Sequence, residues 1–383
     1  MSREHRKALM SRVESLVVKL GTNVLADERG LLDESRIGSI VDQIVAVQEA
    51  RGVRVAVVSS GAIAAGMSDL GIEKRPHSLP ELQACAAVGQ AKLMMMFDEA
   101  LRRHGRHAAQ ILLVRSDVED RVRYLNINLC LTALQGFRAV PIVNENDTVS
   151  VDEIRFGEND ILAALVTNLL RADLLVLLTT VEGVYRDKTR TECFDVVDRV
   201  ELALAAADSS RSALGSGGMA TKIEAAAKVV AAGEMAVIAS GRRPNVLADI
   251  LAGETVGTLF VPRQKKSDAE GAKSSRMRAK QRWIGLARRP RGKIRLDAGA
   301  AKAVLARKSL LASGITGVEG EFAAGDVVAL VGPDGRAIAQ GLTNYSSDEV
   351  GRIKGLRTSQ FAAVLGERTY DEVVHADNLV LTT

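Results

Sequence analysis

Two lysines stand beside glycines, in positions where each could offer a positive charge to a phosphate group. Lys19 closes a short apolar run and precedes Gly21. Lys222 follows a glycine-rich stretch, residues 215–218, and begins an alanine-rich segment with helical character. Glycine lets backbone amides approach an anion closely. Each lysine also has an interpretation that involves no chemistry. Lys19 could extend from a strand edge to solvent, and residues 215–218 could be only a linker.

The glycine-rich stretch fits neither of two common nucleotide-binding loops. Residues 215–220 match the relaxed fingerprint GxGxxA, but polar residues precede them rather than a buried strand, so the Rossmann interpretation fails on context. The stretch has no Gly-Lys-Ser/Thr ending and is therefore not a Walker loop. What remains is a glycine loop leading into a helix, able to close over a polyphosphate.

Acidic and amide residues crowd two further segments. Asn144-Glu145-Asn146-Asp147 follow an apolar run, and Phe156-Gly157-Glu158-Asn159-Asp160 come shortly after. Capping or turn formation explains Asn146 or Asp160 singly, but explains the whole set less well. Such density favours recognition of a polar, charged small molecule. Ser59-Ser60-Gly61 follow another apolar run and could either cap a helix or hold an anion at its N-terminus.

Short apolar runs alternate with helical patterns from about residue 15 to 260. This alternation predicts a mainly parallel sheet covered by helices on both faces, in which ligands collect at the carboxyl ends of the strands. The candidate residues lie at the ends of predicted strands, in the loops just after them, or in the glycine-rich stretch that begins at residue 215. The predicted strands are residues 16–20, 53–58, 108–114, 139–143, 174–178 and 235–239. The predicted helices are residues 33–51, 81–104, 121–135, 160–170 and 219–232.

The pattern changes beyond Trp283 to short runs separated by glycine turns, which predicts a small β-rich, barrel-like domain. The predicted boundaries are a catalytic domain over 1–261, a basic linker over 262–282 and the β-rich domain over 283–383. The linker carries eight Lys or Arg against two acids, whereas the whole chain carries only +4. Positive charge alone attracts phosphate without specificity, so RNA binding through the basic linker and the β-rich domain is an alternative function.

Composition narrows the class of protein. The chain has 383 residues, 47% apolar and 26% charged, which is ordinary for a soluble globular protein of two domains. No apolar stretch reaches the length of a membrane span, and the first residues lack a secretory signal pattern, so we expect a cytoplasmic protein.

The three cysteines lack the paired spacing of a disulfide framework or a zinc site. His104 and His107 flank Gly105, which we expect to end a helix between them, so the sequence predicts no protein metal site.

Several motifs occur in an order that resembles the amino-acid kinase family, in its glutamate-phosphorylating branch. The pairing of NEND with FGxND, together with the tail, separates this chain from other branches, which act on acetylglutamate, carbamate, uridylate or aspartate. Residues 283–300 and 313–328 resemble the PUA-type C-terminal domain of that branch. The motifs are VVKLGTNVL (17–25), VVSSGAIAAG (57–66), PIVNENDTV (141–149), FGENDILAA (156–164), LLTTVEGVY (177–185) and GSGGMATK (215–222).

The resemblance implies transfer of the γ-phosphoryl group of ATP to the side-chain carboxylate of L-glutamate, as the first step of proline biosynthesis. It implies that Lys19 and Lys222 neutralise charge on the phosphoryl group and that Asp160 orients them. Substrate-binding residues would be Ser60, Asn144, Asp147 and Asn159. The ATP-binding residues would be Lys19, Gly21, Thr179, Thr180, Ser216, Gly217, Gly218, Met219, Ala220, Thr221 and Lys222.

The resemblance also implies partners and one departure. Mg²⁺ would bridge the phosphates of ATP rather than occupy a protein cage. Proline would be a feedback inhibitor, and the chain would form a homo-oligomer, either a dimer or a tetramer. Family members commonly have Thr-Asp where this chain has Thr179-Thr180, which places the nucleotide contact at that position in question.

Overall fold

A computed structural model describes residues 3–28, 30–150, 159–187, 189, 191–208, 218–262, 284, 289–366 and 370–382. The chain divides into two compact units. The first comprises Met1–Val118 and Val122–Arg276, and the second comprises Glu119–Arg121 and Met277–Thr383. The predicted basic linker falls almost wholly outside the described residues.

The first unit is built on an eight-stranded sheet. Its strands are β1 Ser15–Leu20, β2 Arg54–Val58, β3 His107–Leu113, β4 Ala139–Glu145, β5 Leu174–Thr179, β6 Val196–Val197, β7 Met235–Ser240 and β8 Thr258–Phe260. The strand order is β3-β4-β2-β1-β5-β7-β8-β6. The pairs from β3 to β7 are all parallel, whereas β8 runs antiparallel to β7.

Helices occupy the connections between these strands. They are α1 Arg3–Met10, α2 Thr22–Leu25, α3 Glu34–Arg51, α4 Ala62–Asp69, α5 Leu79–Arg102, α6 Arg115–Glu119, α7 Arg121–Leu134, α8 Asn159–Leu170, α9 Val200–Asp208, α10 Met219–Ala231 and α11 Val246–Leu251. Helix α3 shows why the boundaries fall where they do. Asp33 caps its first amides through its carboxylate, and Gly52 ends it with a φ of 66°, a left-handed conformation that favours glycine.

The second unit has its own sheet and its own core. Its strands are β9 Gly292–Leu296, β10 Ile315–Glu319, β11 Val327–Val331, β12 Ala337–Leu342 and β13 Leu379–Leu381, in the order β10-β9-β11-β12-β13. Its helices are α12 Ala298–Leu305, α13 Ser347–Ile353 and α14 Phe361–Leu365. Phe361 is fully buried, and its ring meets that of Tyr345 edge-on at 5.9 Å.

The predicted fold class is confirmed: a mainly parallel α/β sheet precedes a smaller β-rich domain. One boundary differs at the site. Residues 144–147 were expected to lie in a loop, but β4 continues through Asn144 and Glu145 because they pair with Leu112 and Leu113 of β3. Neighbouring strands, rather than local polarity, therefore decide where β4 ends.

Candidate active site

Lys19 lies near the carboxyl end of β1, one of the inner strands of the sheet, and is only 5% exposed. Its strand β1 is flanked by β2 and β5, and Lys19 lies opposite Val58 on one side and Leu177 on the other. Successive side chains of a strand point to opposite faces. Leu16, Val18 and Leu20 join the main core cluster, so Lys19 projects from the other face, which α8 covers.

Asp160 joins both candidate lysines in one buried cluster. Its side chain is fully buried in the first turn of α8. The Nζ atom of Lys19 lies 2.8 Å from Asp160 Oδ1, and the Nζ atom of Lys222 lies 3.0 Å from Oδ2. The hydroxyl of Thr221 also donates to Oδ2, at 3.1 Å. The structure therefore brings together all three predicted catalytic side chains, which come from a strand and two helices.

Burial and charge act in opposite directions within this cluster. Burial lowers the pKa of Lys19, and the neighbouring charge of Lys222 lowers it further, while Asp160 opposes both. Burial by itself would raise the pKa of Asp160, but the two ammonium groups outweigh it and hold that pKa below its usual value. Asp160 is therefore an anchoring carboxylate rather than a proton acceptor.

Three of the four predicted substrate-binding residues, Ser60, Asn144 and Asn159, meet beside this cluster. Asn159 precedes Asp160 at the start of α8. Its Nδ2 atom lies 2.9 Å from the carbonyl oxygen of Ser59, 2.9 Å from Ser60 Oγ and 3.1 Å from Asn144 Oδ1. Ser59 and Ser60 follow β2 directly, and Gly61 turns the chain into α4 with a φ of 111°. Two adjacent residues of α8 thus connect the lysine cluster with the polar network.

Gln90 completes this network, and the sequence interpretation missed it. Its Oε1 atom accepts from Asn144 Nδ2 at 2.8 Å. Gln90 lies in α5, whose sequence carries no motif that would single out this glutamine. Glutamines in a long helix are typical of a half-solvated face, so only the tertiary contact reveals the role of Gln90.

Asp147 lies just beyond β4 and is half-buried. Burial raises the pKa of its carboxyl to about 6, although the charge of Arg75 acts in the opposite direction. At neutral pH this carboxyl is mainly ionised and is suited to bind an ammonium group.

The residues predicted to bind the nucleotide lie at the ends of strands and helices. Gly21 precedes α2, and a Cβ atom there would lie 3.7 Å from Lys19 Nζ. Thr179 ends β5, and the exposed Thr180 follows it. Gly218 is the N-cap of α10, and Met219, Ala220 and Thr221 form its first turn. Ser216 and Gly217 lie outside the described residues, as do Phe156, Gly157 and Glu158.

The described residues offer neither a clustered metal site nor a membrane-spanning helix. Among the described residues, no group of three or more His, Cys, Asp or Glu side chains is arranged to hold a metal ion. Within the same part of the chain, none of the helices is both long and apolar enough to cross a bilayer. Both oxygens of Asp160 already face ammonium groups, so the cluster offers positive charge to an anion rather than ligands to a cation.

Comparison with known proteins assigns the chain to a family. The model of the amino acid kinase family matches residues 14–240, and that of the PUA domain matches residues 292–365. Glutamate 5-kinase from Geobacter sulfurreducens is 44% identical over 98% of this chain and 100% of its own length. The same enzyme from Pelobacter propionicus is 41% identical with the same coverage, and that from Chromohalobacter salexigens is 44% identical over 97% of each chain. The chain belongs to the amino acid kinase family, in the glutamate 5-kinase group whose members match it along nearly its whole length.

Proposed function

We infer that this protein is an ATP-dependent kinase that phosphorylates the side-chain carboxylate of L-glutamate, giving L-glutamyl 5-phosphate for proline biosynthesis. The observation that carries this inference is the buried cluster of Lys19, Asp160 and Lys222, placed directly beside the polar network of Asn159. The relatives named glutamate 5-kinase support the same reaction and substrate.

The reaction needs charge neutralisation rather than a base. A glutamate side chain has a pKa of about 4.3, so its carboxylate is already ionised at neutral pH. One carboxylate oxygen attacks the γ-phosphorus, and the bond from that phosphorus to the oxygen bridging it to the β-phosphate breaks. Lys19 and Lys222 would stabilise the negative charge on the transferring group and on the leaving oxygen. Asp160 would hold both ammonium groups in place.

The polar network would bind the amino-acid end of glutamate. Asp147 would pair with its ammonium group, while Ser60, Asn144 and Asn159 would form or support hydrogen bonds to its polar atoms. The predicted ATP-binding residues stay a proposal, including Ser216 and Gly217. Mg²⁺ would enter with ATP, bound to its phosphates, because this ion keeps several waters and is usually held by substrate phosphates.

An acyl phosphate assay on lysine variants tests the proposal. Hydroxylamine traps the acyl phosphate as a hydroxamate, which is measured with saturating ATP, Mg²⁺ and glutamate. We expect Lys19→Ala and Lys222→Ala to lower kcat about 100-fold or more, with smaller changes in KM, because each removes charge stabilisation from the transition state. Lys228→Ala, two turns further along α10, is the matched control and should keep the wild-type kcat.

Three results would contradict this function. Wild-type protein that forms no glutamate-dependent hydroxamate is not a glutamate kinase. A higher kcat/KM for aspartate or acetylglutamate would favour the alternative of a kinase for a different carboxylate. RNA binding with a steep salt dependence, in the absence of kinase activity, would favour the second alternative, which rests on the basic segment 262–282.

Regulation and assembly are separate proposals. If proline is an inhibitor, millimolar proline should raise the KM for glutamate. An unchanged KM would rule out this inhibition. A homo-oligomer, either a dimer or a tetramer, predicts a molar mass in solution of two or four times the 40.9 kDa chain. A cytoplasmic location stays a prediction.

A further inference from the structure

Helix α5 touches both ends of the segment that follows the apolar part of β4. Gln90 accepts a hydrogen bond from Asn144 at 2.8 Å, and Gln83 donates to the carbonyl oxygen of Ser150 at 3.2 Å. The two glutamines are seven residues apart and therefore lie on the same face of the helix. This face of α5 holds the segment that contains Asp147.

The orientation of the Asn144 amide follows from a backbone group. The amide nitrogen of Glu145 lies 2.9 Å from the Asn144 side chain, and a backbone N–H can only donate. The Asn144 atom facing it must therefore be Oδ1, which leaves Nδ2 facing Gln90. Gln90 must in turn present its oxygen, because two NH₂ groups would not bond to each other.

A second backbone group sets the orientation of Asn159. The carbonyl oxygen of Ser59 can only accept, and it lies 2.9 Å from the Asn159 side chain, so the facing atom is Nδ2. The same nitrogen also donates to Asn144 Oδ1 and to Ser60 Oγ, so one of its two hydrogens is shared between two of the three acceptors. Ser60 accepts this bond, so its own hydroxyl hydrogen can be donated elsewhere. Asn159 Oδ1 is buried and has no hydrogen-bond partner among the described residues.

Ser60 and Asn159 therefore present opposite hydrogen-bonding groups, a donor and an acceptor. A buried acceptor left unpaired costs free energy, and a ligand that donates to it removes this cost. The two charged groups of an α-amino acid match this pair, because its ammonium donates and its carboxylate accepts.

We propose that Gln90 is a positioning residue for the amino-acid substrate. It accepts from Asn144 Nδ2 and so holds the Asn144 side chain against Asn159, whose orientation the Ser59 carbonyl sets. Asn159 Oδ1 then faces the substrate ammonium, and the Ser60 hydroxyl faces the substrate carboxylate. This inference rests on the proposed function and extends it to a residue that does not contact the substrate.

The backbone next to Gln90 is held in place by a close contact between two helices. A Cβ atom on Gly89 would lie 1.9 Å from the carbonyl oxygen of Ala62, so α5 and α4 approach here at backbone distance. Ala62 is two residues after Ser60. The close approach therefore keeps Gln90 and Ser60 in a constant relative position.

Substitutions at Gln90 test the proposal in the full chain with the hydroxamate assay. Gln90→Met keeps the length of the side chain but removes the acceptor, leaving the buried amide hydrogens of Asn144 unpaired. We expect the KM for glutamate to rise about tenfold, while the KM for ATP stays within about twofold. Gln90→Glu keeps an acceptor oxygen and should restore much of the affinity for glutamate. Gln43→Met on α3 is the control, because Gln43 Oε1 accepts from the backbone amide of Leu247 at 3.4 Å, and this variant should leave both KM values unchanged.

Three results would overturn the proposal. Unchanged glutamate KM in Gln90→Met would show that the contact is unimportant. Equal rises in both KM values together with a lower Tm would show that Gln90 serves only folding. A Gln90→Glu variant as impaired as Gln90→Met would show that the acceptor is not what matters. Failure of the proposed function would be distinguished from these results, because the wild-type protein itself would then form no hydroxamate.

Discussion

Asp160 is a single carboxylate that holds two ammonium groups away from water. With both lysines protonated, the cluster carries a net positive charge at the carboxyl edge of the sheet. Charged groups in a site of low dielectric interact strongly and do not reorganise when a phosphoryl group arrives. In the proposed reaction, Asp160 would therefore fix the position of both positive charges.

Replacing Asp160 by asparagine should affect both stability and catalysis. Removing one partner of a buried charge cluster leaves the others uncompensated, which costs about 3–5 kcal/mol. We expect a lower free energy of unfolding in urea and a much lower kcat. Asp249→Asn is the control, because Asp249 pairs with Arg243 at the surface, where such a loss costs about 0–1 kcal/mol. Equal stability losses in the two variants would contradict the assignment of Asp160 as a buried anchor.

The pKa of Asp147 predicts a dependence of substrate binding on pH. Its pKa is raised to about 6, so the carboxyl becomes protonated as the pH falls through that value. The neutral form binds an ammonium group less well, so kcat/KM for glutamate should decrease below about pH 6. Glutamate itself stays ionised down to about pH 4.3 and cannot account for this step. Asp147→Asn should have a low kcat/KM that no longer changes across this range; persistence of the step would assign it to another group.

Helices α4 and α5 cross so closely that a side chain would not fit between them. A Cβ atom on Gly66 would lie 1.8 Å from the carbonyl oxygen of Cys85, and one on Gly89 would lie 1.9 Å from that of Ala62. Because α4 begins directly after Gly61 and α5 carries Gln90, this crossing positions two sides of the polar network.

Gly66→Ala should separate these helices. Overpacking of this kind costs about 1–3 kcal/mol, and it outweighs the gain of about 0.5–1 kcal/mol for alanine over glycine in a helix. We expect lower stability in urea and a higher KM for glutamate. Gly38→Ala on α3 is the matched control, since its Cβ atom would lie at an ordinary 3.6 Å from Arg103. A Gly66→Ala variant as stable as Gly38→Ala would show that the crossing can adjust.

At the scale of the whole molecule, the described site residues all belong to the first unit, while the second unit buries a core of its own. Phe361→Ala should cost that core about 3–5 kcal/mol, because it removes a fully buried aromatic ring. We expect calorimetry to show a destabilised transition, with the KM for glutamate and for ATP changed less than about twofold. A large change in either KM would show that the second unit influences the site.

The alternation of strands and helices, the family, and the side chains able to neutralise phosphate can all be recognised from the amino-acid sequence. These features are local, because hydrophobic periodicity, glycine turns and motif order can be read along the chain. Tertiary structure decided how those side chains combine. Asp160 meets Lys222 across 62 residues, and Asn144 meets Gln90 across 54, so neither pairing leaves a local signal. Hydrogen bonds to an adjacent strand also carried β4 two residues further than its polarity predicted. Long-range packing placed Lys19 and Lys222, which lie far apart in the sequence, on the same buried carboxylate.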